Sequence, residues 1–301
     1  MHANTMAWAT KHGKNLKQNK IAMKKQVLSF LLESKSQEIQ EAFIRGCRGI
    51  GVKEARASWK KFRISNGFSS YADVLTYAEA QHKLKKSKIY TAGLTIQHAD
   101  VSGVETCAWR GHCTSVCVLD NGNGRYDSVQ KARNVKTQFL AKHPSDFMVI
   151  LGSEIQKLSS IHEKVLIRLN TNSDIRWHLV LPAVANGASE LPNVFFYDYT
   201  KNPAVLITNG MVGKRYRMVY SVNENSDLGK VASFIERGGT AAIVTNRNKN
   251  AKVLDRYLGL PVIDGDKHDD RYHESGVWVD LAAKGKARKM PDVGFVQNIY
   301  A

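Results

Sequence analysis

Six short runs rich in β-branched and aromatic residues recur after residue 88: Tyr90–Ile96, Lys164–Asn170, Asn193–Tyr199, Tyr216–Val222, Thr240–Thr245 and Val277–Leu281. Polar residues bound each run, as strands require. The segments between them are long enough to recross a sheet, and Ser128–Leu140, Ser145–Ile161, Asp227–Glu236 and Ala251–Leu258 read as helices. Strands that alternate with helices pair in parallel through right-handed crossovers. Six units are too few to close the eightfold barrel. The expectation is an α/β domain over residues 89–301, a partial TIM-like (β/α)6 barrel, with a doubly wound sheet as the rival.

The first 88 residues have another texture, and a small basic helical domain is expected there. Residues 1–20 are polar and dotted with lysine, which reads as a mobile arm. From Ile21 to Leu84 the pattern is helical. Leu28, Leu31 and Leu32 start an apolar face, and Ser34 with Gln37 forms a capping box for a helix through Ile39, Phe43 and Ile44. Further helices are expected around Lys53–Phe62 and Tyr71–Leu84, and Cys47 among them reads as a small buried hydrophobe.

Charge separates the two parts. Residues 1–89 carry 18 Lys and Arg against 6 Asp and Glu, giving +12 of the formal +17, and the remaining 26 against 21 give +5. Such an imbalance points to a nucleic-acid partner bound through the N-terminal part, without implying sequence specificity. No apolar run approaches the roughly 18 residues of a membrane span, and the N-terminus has no signal-peptide core. Together with the cysteine usage this places the protein in the cytoplasm. Oligomeric state is not legible.

Three of the four cysteines, Cys107, Cys113 and Cys117, fall in one loop after the first β-rich run, spaced C-x5-C-x3-C. Three thiolates can hold an iron–sulfur cluster and leave one iron open, as in the [4Fe–4S] enzymes that bind S-adenosylmethionine. Those enzymes carry the loop after the first strand of a partial barrel. Their common spacing is C-x3-C-x2-C, an aromatic precedes the last cysteine where Val116 stands here, and their glycine–glycine–glutamate signature is missing. Zinc with a fourth ligand from elsewhere, or no metal at all, stays open.

In barrel-like folds functional groups gather at strand C-termini, and each run here ends in polar residues. Asn170, Ser173 and Asp174 follow the second and are candidates to orient a cofactor with Ser221, which ends the fourth. Asp198 and Lys201 close the third, and Glu224 follows the fourth; these three are the candidate catalytic groups. Turn formation and helix capping account for the same residue types equally well. The acidic stretch Asp264–Asp270 could chelate a hard cation, and a magnesium nuclease built on it is a weaker reading.

Taken in order, T-C-x5-C-x3-C, Ser128–Arg133, Arg168–Trp177, Phe196–Lys201, Ser221–Glu224, Val262–Arg271 and Ala283–Gly285 resemble a phage- and plasmid-borne family typified by the mycobacteriophage gene-eighty-eight protein. The resemblance covers about residues 89–297 and implies a mobile-element context rather than a reaction. Two functions follow as expectations: an iron–sulfur enzyme acting on a nucleic-acid-related substrate, or a replication-associated DNA-binding protein with a zinc-held loop.

Overall fold

A computed structural model of the chain describes residues 27–300 apart from 71, 81, 86, 118, 120, 121 and 290–293. The expected N-terminal arm lies outside these. The strands are β1 (Tyr90–Gly93), β2 (Val165–Arg168), β3 (Val194–Thr200), β4 (Met211–Gly213), β5 (Tyr216–Ser221), β6 (Thr240–Thr245), β7 (Arg256–Tyr257), β8 (Leu260–Asp264) and β9 (Val277–Ala282). The longer helices are α1 (Val27–Ser34), α2 (Ser36–Cys47), α3 (Val52–Ser65), α4 (Asp127–Lys142), α5 (Pro144–Ile161) and α6 (Leu228–Glu236).

All six expected strands form. They lie side by side in chain order and in parallel, within one nine-stranded sheet ordered β1-β2-β3-β5-β6-β9-β8-β7, with β4 paired to β5. The six show no reversal of direction along the sheet, so the doubly wound rival is not what they build. The sheet does not close either. The TIM-like barrel is corrected to an open sheet whose far edge, beyond β9, is extended by β8 and β7.

That extension also replaces the helix expected at Ala251–Leu258. Arg256 pairs with Pro261 and Tyr257 with Leu260, leaving Leu258 and Gly259 as a two-residue turn with φ of 49° and 77°. Two successive positive φ angles are what a tight hairpin of the right twist demands.

The helices over 27–65 share one hydrophobic cluster with the rest of the molecule: Leu32, Phe43 and Trp59 join Phe139, Phe147, Ile167 and Trp278. Gly46 of α2 and Gly152 of α5 let the two backbones meet, since a Cβ on either would strike the other helix's main chain. Cys47 is buried in this contact and its thiol donates to the Gly152 carbonyl at 3.6 Å. Burial pushes that thiol up to about 12, in keeping with a small hydrophobe.

The helix expected over Tyr71–Leu84 does not form as one element. Val74 N and Leu75 N donate instead to the buried Glu154 carboxylate, at 3.1 and 2.8 Å, and Thr76 bridges antiparallel to Gly93. A buried carboxylate accepting backbone N–H groups competes directly with helix closure.

The two faces of the sheet differ. One carries Ile167, Phe196, Met218, Ile243 and Trp278 into the main cluster. The other carries Val219, Ala242 and Val279, flanked by Tyr199, Ile263 and Leu281. No helix among the described residues is long and apolar enough to cross a membrane.

Candidate functional site

The cysteine loop is held over the C-terminal ends of the parallel strands by its own residues. Thr106 Oγ1 donates to Gln97 O at 3.0 Å, and Cys107 N donates to Glu105 Oε1 at 2.9 Å. Arg110 pairs with Asp100 at 3.0 Å and Glu105 at 3.5 Å, closing the loop on itself. Val116, between the last two cysteines in sequence, packs with Ala283, Ala287 and Val296, so the loop is seated on the C-terminal segment.

Beyond β2 the chain turns through a hydrogen-bond knot. Asn170 Oδ1 accepts from Ser173 Oγ (2.8 Å), Ile175 N (3.0 Å) and Trp177 Nε1 (3.1 Å), while its Nδ2 donates to Ile175 O at 2.8 Å. Asn170 and Ser173 therefore spend their polar atoms on the loop that presents Asp174. Asp174 N donates to Thr106 O at 2.7 Å, and its carboxylate accepts from Lys201 N at 2.8 Å, tying the cysteine loop, the β2 loop and the end of β3 together. Burial raises the Asp174 pKa, offset by bonds from Thr200 and Lys201.

Lys201 stands where these elements meet. Burial disfavours its ammonium, but Cys113, Cys107, Asp174 and Cys117 outweigh burial and hold its pKa above the ordinary lysine value. Its Nζ also lies 5.7 Å from the centre of the Phe295 ring. Cys107 is pushed up to about 12 by burial, against the lowering effect of Lys201. The three thiols thus lie close enough to feel one half-buried cation. Among the described residues, no group of three or more His, Cys, Asp or Glu side chains is placed to hold a metal ion.

Glu224, after β5, approaches the same loop from the other side. Its Oε1 accepts from His112 N at 2.8 Å, and a Cβ on Gly111 would collide with that oxygen. Its Oε2 is buried without a hydrogen-bond partner among the described residues. Ser221 is half-buried at the end of β5, in register with Ala242. Asp198 does not reach the rim. It is wholly buried in β3, accepting from Asn170 N at 2.6 Å and from the Tyr216 hydroxyl, and burial raises its pKa to about 7.

The acidic stretch meets arginines. Arg247 bonds Asp280 at 2.9 Å and Asp264 and Asp266 at 3.2 Å each, while Arg168 bonds Asp269 at 2.8 Å. Arg271 donates to Tyr199 Oη and Glu274, both at 2.8 Å. Carboxylates neutralised in this way hold loop 264–275 over the sheet, and the hard-cation reading of Asp264–Asp270 is corrected accordingly.

Sequence reasoning missed Gly111 and Glu105 around the thiols, and the C-terminal segment carrying Phe295. Only the repeated glycines hinted at close approach.

The molecule is thus an α/β protein whose parallel strands present a thiol, lysine and carboxylate cluster at their C-terminal rim. It belongs to the phage family described as Gene product 88, whose model matches residues 71–298. No curated protein and no solved structure matches the chain.

Proposed function

We propose that the rim cluster is a catalytic site in which Cys107, Cys113 and Cys117 ligate an iron–sulfur cluster, in a phage-family enzyme of the host cytoplasm acting on a nucleic-acid-related substrate. What supports this reading is that all three thiols come from one loop and that each bears electrostatically on the half-buried Lys201 ammonium, which directly follows β3. A single zinc ion needs four donors packed tightly around it. A cluster spreads its thiolates over a wider cage and needs only sulfur donors of the kind present.

Bound there, a cluster with one open iron supplies the binding of an amino acid-bearing cofactor such as S-adenosylmethionine and a one-electron couple. The chain's own groups do the rest. Lys201 offsets the negative charge of three thiolates, and Asp174 fixes the end of β3 against the cysteine loop. Asn170, Ser173 and Asp198 position those loops, and Glu224 offers an acceptor oxygen at the rim. Ser221 ends β5, three residues before Glu224.

Anaerobic preparation followed by iron and sulfide analysis tests the reading. Iron and sulfide in matching amounts are expected; colourless protein carrying stoichiometric zinc, or no metal after reconstitution, contradicts it.

A second reading, a DNA-binding protein without catalysis, draws on the charge of the N-terminal part. Residues 1–26 hold 6 lysines and no acidic residue. Their removal is expected to weaken salt-sensitive DNA binding, measured by anisotropy across a salt series.

A further inference from the structure

Residues 294–300 form a strap across the C-terminal ends of the strands, and three successive positions of it meet the cysteine site. A Cβ on Gly294 would stand 3.0 Å from Glu224 Cβ and 3.6 Å from His112 Nδ1. Phe295 sets its ring centre 5.7 Å from Lys201 Nζ. Val296 packs with Val116, which lies between Cys113 and Cys117 in sequence. The strap thus touches both the loop that carries the thiols and the lysine on which all three bear.

Its attachment is light in the middle and polar at the end. Val296 is the one buried side chain among residues 294–300, and it belongs to a small cluster with Val116, Ala283 and Ala287, apart from the main core. A cavity opens on either flank, one of about 460 Å³ against Glu224 and Leu228 and one of about 550 Å³ against Lys249 and Arg288, with Val296 and Asn298 lining both. Further on the strap is fastened. Gln297 N donates to Val244 O at 2.8 Å, and Asn246 N donates to Gln297 O at 3.1 Å. The Asn246 side chain grips the Tyr300 backbone twice: its Nδ2 donates to Tyr300 O at 2.8 Å, and its Oδ1 accepts from Tyr300 N at 3.0 Å. The Tyr300 hydroxyl donates to Asp280 and accepts from Leu254 N at 3.1 Å. A segment with few apolar contacts and a polar fastening opens at lower cost than the core beneath it.

We propose that residues 294–300 are a gate over the thiol site, latched through Tyr300 and Asn246, and that a ligand larger than a metal ion enters when the strap lifts. The thiols are half-buried with the strap in place, so small reagents reach them and bulky ones wait for opening. The latch is separable from the scaffold it fastens to. Without the Tyr300 hydroxyl, Asp280 still accepts from Thr245 Oγ1 at 2.6 Å and from Arg247 Nε at 2.9 Å. The gate concerns access to the thiols whatever they hold. Its failure would leave the iron–sulfur reading standing, and a protein that holds no iron would leave the gate standing.

Full-length, metal-free protein is labelled with iodoacetamide and, separately, with fluorescein maleimide, and each rate is taken relative to free cysteine and read at every thiol by mass spectrometry. The wild-type protein is expected to discriminate against the bulky maleimide at Cys107, Cys113 and Cys117. Tyr300→Phe with Asn246→Ala is expected to reduce that discrimination about tenfold or more, the worth of a few neutral hydrogen bonds. Cys47, buried between two helices, reports opening of the core and is expected to react no faster in the variant. Where Cys47 does become reactive in the double variant, Tyr300→Phe alone decides in its place, with reduced discrimination at the loop thiols again expected. Equal access of both reagents to the wild-type thiols overturns the proposal, as does discrimination unchanged in the variant that keeps Cys47 protected. Reactive Cys47 in both variants makes the strap part of the core and overturns it too.

Discussion

The two charged clusters beside the strand ends are built from similar residues and do opposite things. Around Arg247 and Arg271 every buried cation faces carboxylates or hydroxyls at hydrogen-bond distance: Asp264, Asp266 and Asp280 for one, Tyr199 and Glu274 for the other. Around Lys201 the charged and ionisable neighbours are three thiols and one carboxylate. Carboxylates paired to arginines fix a loop, whereas thiols around a lysine are donors that a metal can take over. The difference separates scaffold from site within a single sheet.

The sharpest way to break that comparison is to remove one cation from each cluster. Arg247→Met leaves Asp280 buried without its partner and is expected to cost about 3–5 kcal/mol in denaturant unfolding. Lys201→Met is expected to cost no more than about 1 kcal/mol, because the Cys107 thiol, pushed up to about 12, is neutral near pH 7 and is not left as a buried charge. Equal losses would erase the distinction.

Proton linkage gives the next effect. Folding raises the Asp198 pKa from 3.8 to about 7, so the native state holds that proton more tightly than the unfolded chain. Its stabilisation is full below about pH 4 and is lost as pH rises through 7. Unfolding free energy is therefore expected to decline over that window, and Asp198→Asn to flatten the decline. Glu274, raised to about 7 by burial, adds a slope of the same sign.

Thiol chemistry sharpens the picture at the site. In metal-free protein Cys107, pushed up to about 12 by burial, is expected to be alkylated more slowly than Cys113, and Lys201→Met to slow it severalfold further. Timed iodoacetamide labelling with mass spectrometry reads both. The smallest effect belongs to Gly111→Ala, whose new Cβ would push aside the flexible end of Glu224. A stability change under about 0.5 kcal/mol is expected in denaturant unfolding.

Much of the architecture was legible because period and punctuation act locally. Tyr216–Ser221 and Thr240–Thr245 are apolar, β-rich and bounded by polar turns, and they form where expected. The failures came from long-range competition. The segment around Val74 gave up helical hydrogen bonds to Glu154, 80 positions away in sequence, and Leu258–Gly259 adopted a turn whose positive φ at leucine has no composition signal. Closure of the sheet depends on what flanks β9, which no run predicts by itself. The rim was legible as residue types at strand ends. That Asn170 and Asp198 turn inward while Asp174 and Lys201 meet the cysteine loop required the third dimension.

The central claim is that Cys107, Cys113 and Cys117 act as one ligand set and Cys47 does not. Measuring bound iron in four single alanine variants decides it. Loss of iron in all three loop variants with wild-type iron in Cys47→Ala is the predicted result, and full iron retained by any one of the loop variants would contradict it.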